Sequence, residues 1–377
     1  MHRNTIRNRH AATLLLLLTA ALATKKIQAQ WDIEESHTTA SLRGIHNVGG
    51  GVAWASGTNG TVLRTEDGGY LWQTCTIPPG AEKLDFRGIQ AFDENTAIVM
   101  SSGLGDLSRL YKTTDGCQTW KLLFTNPDKE GFWDAINLST PYAVLVGDPV
   151  RGKFFARISE DVGKTWHRSG DDSALSTADP AAGMFAASNS IVTMSGGLIF
   201  LVANAGGHSL LFSSIFPNNH CQHPGTKTAP CPNGYVWSEP EIIPLAKGSP
   251  SRGVFSLALA GDDPRVMVAV GGDYRNPNET AGTAAFFHDN ATWSPSTTPP
   301  HGYRSSVAYD PTQKLWITVG PNGTDISTDD GNNWRPLTPS GYDPPDADKN
   351  WNALSLPFVV GPHGRIGRLR TIPNPKK

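Results

Sequence analysis

After residue 30 the chain has no helix-period apolar pattern of useful length, and no apolar run long enough to span a bilayer. The first absence argues against helical architectures, the second against an embedded domain. A surplus of positive charge is also missing. The formal charge is −2, and loss of the first 29 residues, with five basic side chains and no acid, takes it to −7. A mildly acidic body of this kind argues against nucleic acid as a general partner. Nucleophilic triads, phosphate-cradling loops and dinucleotide fingerprints do not occur in a credible setting. Gly49-Gly50-Gly51 and Gly206-Gly207-His208 read as turns. No cofactor is expected.

What the chain does have is punctuation. With 39 Gly and 28 Pro in 377 residues, and aromatic and β-branched residues spread evenly between them, it suits many short strands joined by turns. Seven tryptophans recur along it: Trp31, Trp72, Trp120, Trp166, Trp237, Trp293 and Trp334. Four close an acidic Gly-containing turn. These turns begin at Thr65-Glu66-Asp67-Gly68, Thr113-Thr114-Asp115-Gly116, Ser159-Glu160-Asp161-Val162 and Ser327-Thr328-Asp329-Asp330. A repeat of roughly 45 residues made of short strands predicts a radial all-β array, a seven-bladed propeller of four-stranded blades.

The first residues read as an exported leader. Arg3, Arg7 and Arg9 precede an apolar stretch from Ala11 to Ala23, with small-residue cleavage patterns at Ala21-Leu22-Ala23 or near Ala29. Residues 1–29 are therefore assigned as a signal peptide for the general secretory route, placing the body in a periplasm or outside the cell. No cysteine sits just after the apolar stretch, which argues against a lipid anchor. Export permits disulfides, and the 4 cysteines allow three connectivities. Cys221 and Cys231 bracket a loop with no core of its own; Cys75 and Cys117 lie one repeat apart. His220, Cys221, His223 and Cys231 lack a zinc-finger spacing, and no metal is expected there.

Blade openings are expected near residues 42, 86, 133, 185, 252, 304 and 351. Second strands end in an apolar run and glycine, as in Val144-Leu145-Val146-Gly147 and Trp316-Ile317-Thr318-Val319-Gly320, which fits strands buried on both faces. The seventh unit lacks its own closing tryptophan, whereas Trp31 stands alone before the first. Residues 31–40 are thus expected to complete the last blade and close a propeller spanning 30–370, with 371–377 a tail.

The Ser/Thr-x-Asp-x-Gly-x-x-Trp turns resemble the Asp-box, or BNR repeat. The fuller unit has Arg-Gly-Ile openings (Arg43-Gly44-Ile45, Arg87-Gly88-Ile89), a second strand ending in Gly, and a third strand such as Gly60-Thr61-Val62-Leu63-Arg64-Thr65. It resembles the photosystem II stability/assembly factor family, well over residues 41–166 and adequately over 303–370. The resemblance implies an exported seven-bladed propeller without chemistry of its own that assists assembly of a membrane complex, in a thylakoid lumen or bacterial periplasm. Asp-boxes also occur in sialidases, other glycoside hydrolases and sorting receptors, and fold does not choose among these.

In a propeller the starts of the innermost strands share one face with the second-to-third-strand loops, and the acidic turns occupy the other. The first polar positions of the openings read Arg43, Arg87, Asp134, Arg252, Arg304 and Asn352, with none at Phe185. Four arginines at a channel mouth suit a protein or peptide partner with acidic or carboxylate groups, bound by a monomer; the family resemblance implies a similar arginine-rich face. The structural alternative pairs them with Asp106, Asp148 and Asp273 from nearby loops. For glycoside hydrolysis two carboxylates are required, and Asp134 with Asp148 is the pair available. No segment marks a Tyr/Glu pair of the sialidase kind. Asn59-Gly60-Thr61 and Asn322-Gly323-Thr324 match glycosylation sequons, but Asn-Gly is also a preferred tight-turn pair.

Overall fold

A computed structural model describes residues 30–168, 170, 172–215, 235–289, 292–370 and 372. The leader and the Cys221–Cys231 loop lie outside the described residues. Seven antiparallel sheets follow one another around an axis, each built on the four-strand plan. Blade 1 runs through Leu42–Gly49, Val52–Gly57, Val62–Thr65 and Gln73–Thr74, and blade 2 through Phe86–Ala91, Ala97–Ser101, Arg109–Thr113 and Lys121–Thr125. Blade 3 departs slightly. Its outer strand shrinks to a single bridge, Ile158 with His167. In blade 4 both Val236–Trp237 and Glu241–Ile243 pair the third strand, beyond the insertion.

The ring closes as the orphan Trp31 implies. Trp31–Glu34 pairs antiparallel with Ile366–Leu369 as the outer strand of blade 7. Trp31 is buried and stacks on Trp351 at 5.9 Å, its backbone N–H donates to Asp343 Oδ1 (2.8 Å), and Asp32 meets Arg368 and Arg370 at 2.9 and 2.5 Å. The last blade is thereby completed to four strands, with Ile366–Leu369 paired on both sides. The strand needed for this is shorter than expected, 31–34 within the 31–40 segment.

The core is distributed between blades rather than gathered at a centre. Trp54, Phe86, Ile89 and Tyr111 pack between blades 1 and 2; Leu42, Trp72 and Phe358 between blades 1 and 7; Val268, Val307, Trp316 and Trp334 between blades 5 and 6. The second strands that hold Val99, Val146, Val270 and Val319 are buried and mostly apolar because sheets cover both of their faces. Cys75 and Cys117 form a disulfide that joins blades 1 and 2.

The acidic turns stitch third to fourth strands. Thr65 Oγ1 donates to Asp67 Oδ1 (2.9 Å) and accepts from Gly69 N–H (3.0 Å), while Asp67 Oδ1 accepts from Leu71 N–H (3.0 Å). The same pattern recurs at Thr113/Asp115, Ser159/Asp161 and Ser327/Asp329. Gly68 and Gly69 take φ of 79° and 97°, which glycine adopts without steric cost. Hydrogen bonds from Thr119, side chain and backbone, hold Asp115 down to about 2; those from Thr165 do the same for Asp161.

Blade 4 does not open at Phe185 as the repeat suggests. Its inner strand is Val192–Ser195, and Gly183 alone bridges to Asn204. The intervening residues leave the ladder and cross the axis. Arg87 of blade 2 donates to Ala186 O (3.2 Å), Asn189 Oδ1 accepts from Ile136 N–H of blade 3 (2.8 Å), Ser190 O accepts from Leu257 N–H of blade 5 (2.8 Å), and Ser188 Oγ donates to Ser305 O of blade 6 (2.7 Å). Residues 185–190 thus form a plug at the mouth of the channel. On the opposite face a hollow of about 610 Å³ opens among Asn137, Thr193, Tyr309 and Ser355.

Candidate functional site

The innermost strands begin around the plug, so their first residues meet there. The four arginines do not form a uniform ring, and they do not share one register: Arg43 and Arg87 follow the buried positions of Leu42 and Phe86, whereas Arg304 takes the equivalent of that buried position and Arg252 stands two residues before it. Arg43 and Arg87 are half-buried and share one acid: Asp85 lies 2.8 Å from Arg87 Nε and 4.0 Å from Arg43 Nε. Burial first, and the neighbouring Arg87 charge second, lower the Arg43 pKa. The Arg43 charge is also felt at the buried phenol of Tyr303 across the mouth.

Arg252 is in the reverse situation. Its Nε is 3.1 Å from Asp273 and its guanidinium 2.5 Å from Glu279, so two acids serve one base. Burial would raise the Asp273 carboxyl, but bonds from Ser251, the Arg275 backbone and Arg252 prevail and hold it low.

Arg304 and Asn352, expected at the docking face, are instead parts of the scaffold. Arg304 is 0% exposed. It is clamped by Asp325 (Nε–Oδ2 2.8 Å), Asn322 Oδ1 (2.6 Å) and the Tyr303 carbonyl (2.7 Å), with His301 Nδ1 at 3.0 Å. A guanidinium so enclosed has nothing left for a partner. Asn352 Nδ2 donates to Leu42 O (2.8 Å) and so links blade 7 to blade 1. Asp106, expected as a partner of the mouth arginines, sits 3.8 Å from Arg109.

The sequence reading missed Asp85 and Asp325. Asp85 lies in the loop before blade 2, outside the repeat, although its place two residues ahead of Arg87 is a local signal. Asp325 occupies the third-strand position that Leu63 and Tyr111 fill in blades 1 and 2. An acid in an apolar slot was the clue that Arg304 had a buried partner.

Asp134 and Asp148 are brought side by side. Asp134 is 1% exposed and lies close to the backbone of Asp148 and of Ala186 in the plug, while its Oδ2 is buried without a hydrogen bond. Burial, then the Asp148 charge, push its pKa well up. Asp148 Oδ1 accepts from Met184 N–H (2.8 Å), and burial raises its pKa too. Both carboxyls anchor the plug. Phe185, the opening without a polar residue, stacks on Phe255 at 3.7 Å, with Tyr274 and Tyr303 edge-on around them.

Fold and site together define a seven-bladed β-propeller with a plugged, charged mouth. No protein-family model matches the sequence, and no curated protein matches it. Among solved structures, a YCF48 bound to a D1 peptide superposes with a TM-score of 0.59 at 18% identity, covering 92% of this chain and 98% of that one. A YCF48 from Cyanidioschyzon merolae gives 0.57 at 16% identity, covering 90% and 99%. The likeness is one of fold over nearly the whole length, and it is the propeller that the repeats led us to expect.

Proposed function

We propose that this chain is an exported, non-catalytic propeller that docks a protein or peptide bearing carboxylate groups at its mouth face. The observation that supports this most is the shared acid. Arg43 and Arg87 have one carboxylate between them, which leaves a positive charge at a half-buried rim. Guanidinium groups take carboxylates through two parallel hydrogen bonds, and partial burial strengthens that attraction. A D1 peptide bound to a YCF48 propeller of the same fold is consistent with it. Among the described residues no helix is long and apolar enough to cross a membrane. The setting we infer is a monomer acting as an assembly or stability factor for an envelope or membrane complex, in a periplasm, outside the cell, or in a thylakoid lumen if the cell is photosynthetic.

The test uses fluorescent peptides rich in Asp and Glu, with amide counterparts. Acidic peptides should bind, and the Arg43→Ala/Arg87→Ala variant should weaken them at least about tenfold while remaining folded at the assay temperature, as checked by circular dichroism. Undiminished binding in that variant overturns the proposal. The alternative, glycoside hydrolysis by Asp134 and Asp148, would require both carboxyls to reach a sugar, and Asp134 is sealed under the plug. Turnover of aryl glycosides or sialosides, lost in both Asp134→Asn and Asp148→Asn, would reverse the choice.

A further inference from the structure

Beside the plug, a cavity of about 450 Å³ opens between the loops of blades 3, 4 and 5 on the mouth face, a volume suited to a side chain or small ligand. Ala181, Met184, Phe185 and Ala205 give it an apolar wall. Asp148, Asp179, Lys247 and Arg252 also line it. These four charges are not equally available. Asp179 is spent on backbone, accepting from Gly206 N–H (2.6 Å) and Ala181 N–H (2.9 Å). Arg252 is spent on Asp273 and Glu279. Lys247 is exposed at the rim and has no ion pair among the described residues.

Asp148 is different. One oxygen holds the plug through Met184 N–H; Oδ2 has no hydrogen bond among the described residues, and no cation pairs with the carboxyl. Fully buried Asp134 behind it adds a second acid. A half-buried, unpaired carboxylate at the end of an apolar slot is complementary to a cation on an aliphatic stem, whose methylenes lie along the wall while the charge meets the acid.

We propose that this cavity receives a lysine or arginine side chain of the docked segment, its cationic end paired with Asp148. This rests on the peptide-docking reading above and extends it. The mouth then reads a bipolar segment, an acid at Arg43 and Arg87 and a base at the blade 3–5 cavity.

The probe is a set of fluorescent peptides, each with one acidic stretch and a lysine placed two to five residues away, beside twins carrying norleucine in place of the lysine. At one spacing the lysine peptide should bind at least about tenfold tighter than its twin. Asp148→Asn keeps an oxygen to accept from Met184 N–H and removes the charge, so it should erase the gap and leave the norleucine peptide unchanged. Lys247→Glu, at an exposed rim position, should widen the gap severalfold. No gap at any spacing, a gap that survives Asp148→Asn, or one that narrows in Lys247→Glu would overturn the assignment. Equal binding by the twins that still depends on Arg43 and Arg87 would sink the cavity assignment alone. Binding that is absent, or indifferent to those arginines, would sink the docking reading and this inference with it.

Discussion

Blades 1 and 2, like blades 5 and 6, carry arginines at the opening of the inner strand, and the two halves use them in opposite ways. In the first half Arg43 and Arg87 divide one carboxylate; in the second Arg252 has two and Arg304 has a buried acid of its own. The ratio of acids to bases, together with the register of the bases, separates a face that can bind from one that holds itself together. The repeat brings arginines to the strand openings, but within two or three residues of one another and not at one fixed place. The acids come from loops and from single substitutions in strands, so each blade sets its own ratio.

This contrast can be broken most severely at Arg304. Asp325→Ala leaves a guanidinium buried without its counter-ion and should cost about 3–5 kcal/mol, read by urea unfolding. Acidic-peptide affinity of the protein that remains folded should be unchanged. The arginine-sharing half can be loosened separately. Cys75→Ser/Cys117→Ser opens a covalent loop with a sequence separation of 42 residues and should cost about 3 kcal/mol by the same measurement.

The carboxyl pair and the acidic turns should answer pH with opposite signs. Asp134 has a folded pKa raised above its ordinary value near 4, so its contribution to stability falls as pH rises from about 4 through the folded pKa. The melting temperature of Asp134→Asn should exceed that of the parent at pH 8, by about 2 °C or more, and the difference should shrink toward pH 4. Asp115 and Asp161 have folded pKa values of about 2, so their contribution is complete above about pH 4 and is lost as pH falls toward 2. Asp161→Asn should flatten the decline of the melting temperature between pH 4 and 2. The smallest effect is expected at Asp85. Asp85→Asn should alter stability by about 1 kcal/mol or less and tighten acidic peptides a few fold, since it frees both arginines at once.

The fold was legible because its signals are local and repeated. An acidic turn needs a hydroxyl, an aspartate two residues on and a glycine, and Thr65, Asp67 and Gly69 advertise it in five residues. The orphan Trp31 was equally readable, since a closing strand must come from somewhere. The site was only half legible. Arg43 and Arg87 could be placed at the mouth, but Arg304 lies one residue out of their register: it takes the buried place of Leu42 and Trp351, with Asp325 on a neighbouring strand as its counter-ion. Nothing in the run from Met184 to Ser190 announces the plug. Its hydrogen bonds go to four other blades, and long-range partners of that kind leave no periodicity behind.

The plug also changes what kind of object the propeller is. Tied to blades 2, 3, 5 and 6 through Ala186, Asn189, Ser190 and Ser188, it works as the hub of a spoked wheel. A load applied where Asp148 grips Met184 is carried to the rim in several directions at once, so a docked segment would pull on the whole ring and not on one blade.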